Sequence, residues 1–321
     1  MNFKKNSMVV RDGLFVVLCI VGLALYFTPL RELIGLSLHK ELYSHIVLIP
    51  IVSLYFMYLK RRVIFCDLAY SYQVGIPLIS AGSLFYFFGK YCLTTLPQND
   101  YLSLMMSGAV TWFVGSFILC FGISAFRKGA FPLLFLVFMI PIPSAVLDPF
   151  IRFLQTGSLY AAHGIFKLTG VPFFREGFVF SLSGIDVEVA KQCSGIRSCI
   201  ALFITSIVAG RLFLRTGWRR IVLVLSVFPI AVFKNGLRVV TLSLLAAYVD
   251  KTFITNSWLH RSGGIPFFVV ALVFLTSVLW LLRKSEKKSI TEPEQQGVET
   301  GSVSRAGRHN GRKRTIVRCE K

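Results

Sequence analysis

Three side chains in this sequence would together support nucleophilic chemistry: Cys193, Arg238 and His260. A thiol attacks as its thiolate, and a neighbouring imidazole or guanidinium raises the thiolate fraction. Attack on a peptide carbonyl would leave a thioester. The imidazole would protonate the departing amine and later deprotonate the incoming nucleophile. The guanidinium would donate hydrogen bonds to the developing oxyanion. Around the thiol the chain reads Lys191-Gln192-Cys193-Ser194-Gly195-Ile196-Arg197-Ser198. Arg197 lies about one helical turn inside an apolar run, where charge is as a rule paired or functional; its plainer reading is a pair with Glu188 or Asp186 that holds the preceding segment against that run. Ser194 and Gly195 open that run, so backbone N–H groups there would favour an anion.

Each residue also has a plainer reading. Cysteine is common in apolar segments, and His260 beside Trp258 suits an interfacial residue. Lys234 and Asn235 share the apolar run of Arg238 and would line one polar cavity. Cys199 falls on nearly the opposite helical side from Cys193 and reads as packing. His39, His45 and His163 lack ligand-like partners.

The elements that must hold these groups follow from composition. The chain has 321 residues, of which 55 % are hydrophobic and only 16 % charged. Soluble domains carry roughly 25 % charge. The apolar residues fall in blocks about 20 long, the length that spans about 30 Å of hydrocarbon. The expected class is an all-α polytopic membrane protein of about eight transmembrane helices with a small extracytoplasmic β-hairpin. The net charge of +20 lies mainly in short loops beside apolar blocks. That is a topology signal, and no folded soluble domain is visible to present it to nucleic acid.

With Lys4, Lys5 and Arg11 inside, the expected spans are 13–30, 42–59, 71–89, 101–125, one from Gly129 broken at Pro141-Ile142-Pro143, 194–210, 221–249 and 263–282. Lys60-Arg61-Arg62, Arg127-Lys128, Arg211 to Arg220 and Arg283-Lys284 mark the inner ends. The segment 144–192 is the longest outer section. Its 147–168 portion suits an amphipathic interfacial helix. The runs 178–182 and 185–189 around Ser183-Gly184 suit a hairpin that delivers the chain to Cys193. Residues 1–288 form one transmembrane domain, and the basic cytoplasmic tail 289–321 reads as disordered. No cleavable signal peptide is expected. The seven cysteines show neither CxxC nor metal spacing, so no metal or cofactor is expected.

This topology brings the trio to one level. Cys193 stands at the outer end of its span. Arg238 is 18 residues beyond Arg220, so about 27 Å up at 1.5 Å per residue. His260 precedes the last span on the outer side.

Three blocks carry a family resemblance: Val189 to Ser198 around Cys193, Lys234-Asn235-Gly236-Leu237-Arg238-Val239, and His260-Arg261-Ser262-Gly263-Gly264. Together with Arg175-Glu176-Gly177 and the hairpin, they resemble the exosortases, polytopic bacterial membrane enzymes related to archaeosortases. The resemblance covers most of residues 10–285, and the ordered set is far more specific than any one block. It implies a cysteine peptidase or transpeptidase of the inner membrane with its site on the periplasmic face. Cys193 would be the nucleophile, Arg238 the oxyanion or substrate stabiliser and His260 the acid/base; the reading of the residues themselves adds Arg197, Ser194, Gly195 and Asn235 as supporting groups. Family substrates are exported proteins whose C-terminal signal joins a short motif such as Pro-Glu-Pro to a transmembrane helix and a basic end. The acceptor would be water, a lipid or a glycan, and linkage to exopolysaccharide production is typical. The residues alone also admit a transporter of an exopolysaccharide precursor, with Lys234 and Arg238 as an anion path, or a non-catalytic assembly component.

Overall fold

The computed structural model describes residues 2–91, 95–182, 184–250 and 264–296. The chain divides near residue 147 into two compact units.

The first unit holds α1 (Asn2–Leu25), α2 (Phe27–His39), α3 (Leu48–Leu59), α4 (Arg61–Ile64), α5 (Tyr72–Tyr91), α6 (Gln98–Lys128) and α7 (Ala130–Phe135). Its centre is the close pairing of α5 with α6. Gly75, Gly82 and Gly89 recur every seven residues and are all buried. A Cβ on Gly75 would lie 2.6 Å from the Leu119 backbone, and one on Gly82 would lie 3.0 Å from the Gly108 carbonyl. From the other side, a Cβ on Gly115 would lie 2.9 Å from Ile79 N. Small residues on both faces let the two backbones touch, as membrane helices prefer. The start of α6 also organises the next element. Asp100 accepts a hydrogen bond from the backbone N–H of Ser144 at 2.6 Å, which caps α8 (Ser144–Thr169).

The second unit contains the rest of α8, a small sheet, α9 (Ile196–Phe213), α10 (Gly217–Leu225), α11 (Val227–Tyr248) and α12 (Gly264–Gln296). The sheet is antiparallel in the order β1 (Phe174–Glu176), β2 (Val179–Leu182), β3 (Ile185–Glu188). The expected hairpin is present, with Phe180 opposite Val187. A third strand, not anticipated, pairs Arg175 with Phe180. Alternation puts Phe180 and Leu182 on one face, where they join Leu159, Ala162 and Phe166 of α8, and Val239 and Val240 of α11. This apolar cluster anchors the sheet to the helices that flank Cys193.

By length and composition, five helical stretches among the described residues could cross a membrane: Glu41–Leu59, Gln98–Lys128, Ile196–Phe213, Gly217–Tyr248 and Ile265–Glu286. Two bent pairs raise the number to seven. Val9–Leu25 and Phe27–His39 meet at 71°, and Ala130–Met139 and Ser144–Thr169 meet at 85° across the expected proline break. The expected count of eight is not reached, because α5 is helical over its predicted span but falls outside this set. Its glycines, serines and tyrosines dilute its hydropathy. Its glycine-lined face is spent on α6 instead.

At the other end of the second unit from Cys193, Glu286 accepts the backbone N–H of Arg215 at 3.1 Å and of Thr216 at 2.7 Å. It also accepts the Thr216 hydroxyl and pairs with Arg219 at 3.5 Å. The carboxylate therefore closes the N-terminus of α10, where the helix dipole favours negative charge. Both Arg219 and Glu286 are buried. The last helix continues past the expected boundary at 288 to Gln296, and residues 297–321 lie outside the described residues.

Candidate functional site

The turn that carries Cys193 is built from short-range bonds. Val189 N–H donates to the Phe178 carbonyl at 2.9 Å, closing the sheet. Gln155 of α8 donates to the Val189 carbonyl at 2.6 Å. Lys191–Cys193 then form one 3-10 turn, in which Cys193 N–H reaches Ala190 O at 2.9 Å and Ser194 N–H reaches Lys191 O at 3.1 Å. Gly195 adopts φ 78° and starts α9. Its carbonyl accepts the Cys199 N–H at 3.0 Å and the Ser198 hydroxyl at 2.9 Å. The left-handed conformation is costly for any residue with a Cβ. Here a Cβ would also lie 3.0 Å from the Asn235 amide. The thiol of Cys193 is free and half-buried.

Two consecutive residues of α11 fasten this turn. The Asn235 amide nitrogen donates to the Cys193 carbonyl at 2.7 Å and to Ser158 Oγ of α8 at 2.9 Å. The Lys234 ammonium donates to Ser198 Oγ at 2.5 Å. Further down, Gly210 of α9 faces Arg220 and Leu223 of α10, so the chain returns antiparallel after α9. Gly236 permits the same approach from α8, since a Cβ there would lie 2.9 Å from Ala162 N. Arg238 stands three residues past Asn235, so about 4.5 Å farther along α11 and on the same helical face. The direction is from Ser198 toward the turn of Cys193. Arg238 is half-buried, and among the described residues it makes no hydrogen bond or ion pair.

Three basic side chains gather at this place. Arg197, Lys234 and Arg238 are near enough to act on one another electrostatically, and no carboxylate adds to the field at Lys234. Lys234 is only 1 % exposed. Two buried polar atoms beside the thiol have no hydrogen-bond partner among the described residues, Ser194 Oγ and Asn235 Oδ1. The site thus combines a thiol, three basic side chains and the N-terminus of a long helix, a set that suits chemistry on a group that becomes negative.

Of the residues singled out from sequence, Cys193, Ser194, Gly195, Arg197, Asn235 and Arg238 are gathered by α9 and α11. His260 lies outside the described residues. Cys199 is buried, as its helical position suggests. His39 bonds the Gly35 carbonyl within its own helix, and His163 meets the Phe173 ring edge-on. No three metal-ligating side chains cluster among the described residues. Sequence reasoning passed over Gln155 and Ser158. They stand three apart on α8, both buried polar residues on its packed face. A pair of polar residues at helical spacing on the apolar side was the available signal.

A family model described as transmembrane exosortase (Exosortase_EpsH) matches residues 37–277. The match takes in the turn of Cys193, both bonded residues of α11, Arg238 and the His260 block. No curated protein and no solved structure matches the chain.

Proposed function

The chain belongs to the transmembrane exosortase family, and from that premise we propose that it is a membrane-embedded cysteine peptidase or transpeptidase that cuts C-terminal sorting signals from exported proteins. Cys193 is the nucleophile. His260 takes the thiol proton, and the thiolate attacks the scissile carbonyl, forming a C–S bond while the carbonyl electrons move to oxygen. Arg238 donates hydrogen bonds to that oxyanion. Collapse expels the amine, which takes its proton from His260, and a thioester remains on Cys193. His260 then removes a proton from the acceptor as it attacks the thioester, and the thiol is regenerated. The acceptor is water, a lipid or a glycan.

The observation that carries this reading is the hydrogen bond from Asn235 to the Cys193 carbonyl. It ties the thiol's turn to the helix of Arg238 within one helical turn of that residue. A transporter has no use for a thiol held in register with a guanidinium. Membership of the family and the multi-pass helices support a place in a bacterial inner membrane, with the thiol on the periplasmic face. The substrate class is an exported protein ending in a Pro-Glu-Pro-like motif, an apolar helix and a basic end, made alongside exopolysaccharide.

The deciding experiment co-expresses such a tailed protein with the enzyme and follows its size and C-terminus by mass spectrometry. Cys193→Ala and Cys193→Ser should abolish processing, while Cys199→Ala should retain it. Normal processing by the Cys193 variants would remove the nucleophile from the scheme.

A further inference from the structure

The first unit encloses a cavity of about 380 Å³ that the chemistry at Cys193 does not use. Pro50 to Met57 of α3 and Met106 to Phe113 of α6 supply its two long walls. Each wall is two helical turns, or about 10 Å. Cys19, Gly22 and Leu23 of α1 close a third side. Gly22 makes that side possible, because a Cβ there would lie 2.6 Å from Trp112 Nε1. The Trp112 indole instead rests directly on α1 and donates to the Leu18 carbonyl at 3.0 Å.

The lining selects for hydrocarbon. None of the lining residues is charged, and their polar groups are already engaged. The Tyr26 hydroxyl donates to the Gly82 carbonyl at 2.6 Å, and the Ser53 hydroxyl donates to the Pro132 carbonyl at 2.7 Å. Water needs two to four polar partners to settle in a protein, and an apolar cavity of about 150 Å³ stays dry and takes up benzene. Leu23 and Leu54 line the cavity and are also 55 % and 64 % exposed, so they form its mouth. Glu41–Leu59 and Gln98–Lys128, which contain the two long walls, are each long and apolar enough to cross a membrane. The medium at that mouth is therefore the acyl region of the bilayer.

Charge identifies the rest of the ligand. About one turn past Met57 the chain reads Arg61-Arg62, and both side chains are exposed. The Arg61 guanidinium lies 3.9 Å over the Tyr58 ring, which holds it at the end of α3. Arginines at the end of a span attract lipid phosphates. We propose that this cavity is a phospholipid site: one acyl chain enters between Leu23 and Leu54 and lies along α3 and α6, and the phosphate meets Arg61 and Arg62. The inference does not depend on the reaction at Cys193.

Trp112 supplies the probe. Full-length protein carrying Trp218→Phe, Trp258→Phe and Trp280→Phe is purified in detergent and titrated with a phospholipid brominated in mid-chain. Bromine quenches a nearby indole, so Trp112 fluorescence should fall to a plateau at a low fraction of lipid. Unbrominated phospholipid should restore it. Ala109→Leu and Cys19→Leu, which each fill part of the cavity, should remove the plateau, and thermal unfolding shows whether each variant is folded. Brominated diacylglycerol, with the same chains but no phosphate, should bind about tenfold more weakly. Arg61→Gln combined with Arg62→Gln should bring the phospholipid to that same affinity. Quenching that rises without a plateau, or that unbrominated phospholipid does not reverse, overturns the site without recourse to any variant. A plateau that survives in folded Ala109→Leu and Cys19→Leu places the lipid elsewhere and overturns it as well. Equal binding of phospholipid and diacylglycerol, unmoved by the arginine replacements, reduces the cavity to a crevice for any hydrocarbon and overturns the phospholipid assignment.

Discussion

Asn235 and Cys193 are joined by a hydrogen bond from the amide of one to the carbonyl of the other, 2.7 Å long. The same amide nitrogen holds Ser158 at 2.9 Å. One wholly buried side chain therefore links α8, α11 and the turn that presents the thiol. Its replacement should act on both stability and processing.

Asn235→Ala leaves a backbone carbonyl and a serine hydroxyl buried without a donor. The expected cost is about 2 kcal/mol of unfolding stability. Loss of register at the sulfur should slow processing on the order of tenfold to a hundredfold. Asn235→Asp keeps the shape but removes the donor, so it should fail similarly. Ser158→Ala should be milder, since the bond to Cys193 survives. Thermal unfolding in detergent and the rate of substrate processing read the two effects separately.

Gly195→Ala combines a positive φ with a Cβ only 3.0 Å from the Asn235 amide. The conformational strain alone is about 1–2 kcal/mol, and the contact would push the turn away from Asn235. Gly170 also has positive φ, at 70°, but open space around it. Gly170→Ala should therefore lose stability by a similar strain while processing continues. Equal loss of processing in both variants would show that the Asn235 contact does not matter.

The proposed orientation makes opposite predictions for two cysteines. Cys193 is half-buried just before α9, at the end that the proposal puts outside, and Cys66 is exposed near Lys128, in the segment that it puts inside. In single-cysteine variants, a membrane-impermeant thiol reagent added outside intact cells should label Cys193 and leave Cys66 unlabelled. In inverted vesicles the pattern should reverse. Cys66 labelled from outside would invert the whole topology.

The pair of Arg219 and Glu286 is buried and far along the helices from Cys193. Glu286→Ala removes the acceptor for two backbone N–H groups and strands a buried guanidinium. A loss of about 3–5 kcal/mol is expected, seen as a lower midpoint in thermal unfolding. Processing at a permissive temperature should be nearly normal. An equal loss of activity would mean that this end of α10 and α12 communicates with the thiol.

Close approach in the first unit can be tested the same way. Gly115→Leu places a branched side chain where a single Cβ already comes 2.9 Å from Ile79 N. Overpacking of this kind costs about 1–3 kcal/mol or more. Gly164→Leu, at a position with nothing near its Cβ direction, should be tolerated. Comparison of their folded yields after membrane extraction decides the point.

Much of this protein was legible without coordinates because a bilayer writes strongly on sequence. Apolar blocks, basic flanks and the proline break at 141–143 carry the helices, and a cysteine and an arginine at such boundaries advertise themselves by their cost. The hairpin was legible from alternation around Ser183-Gly184. The strand Phe174–Glu176 was not, since three residues have no period to read. Nor was the seven-residue glycine pattern of α5 and α6 recognised, because a small residue reveals its purpose only when a second backbone lies against it.

The sequence by itself determined that the chain crosses a membrane repeatedly, and it carried the expectation that Cys193 and Arg238 share one level of it. Helix rise and charge placement suffice for that. Only the tertiary structure decided that Asn235, Ser158, Lys234 and Ser198 hold the turn. Ser158 and Asn235 are separated by 77 residues, and a polar side chain on a packed face names no partner until the helices are set against each other. The physical reason is range: spacing along one helix fixes which face a residue occupies, whereas hydrogen bonds between helices depend on their register and approach, which the glycines at 195 and 236 permit.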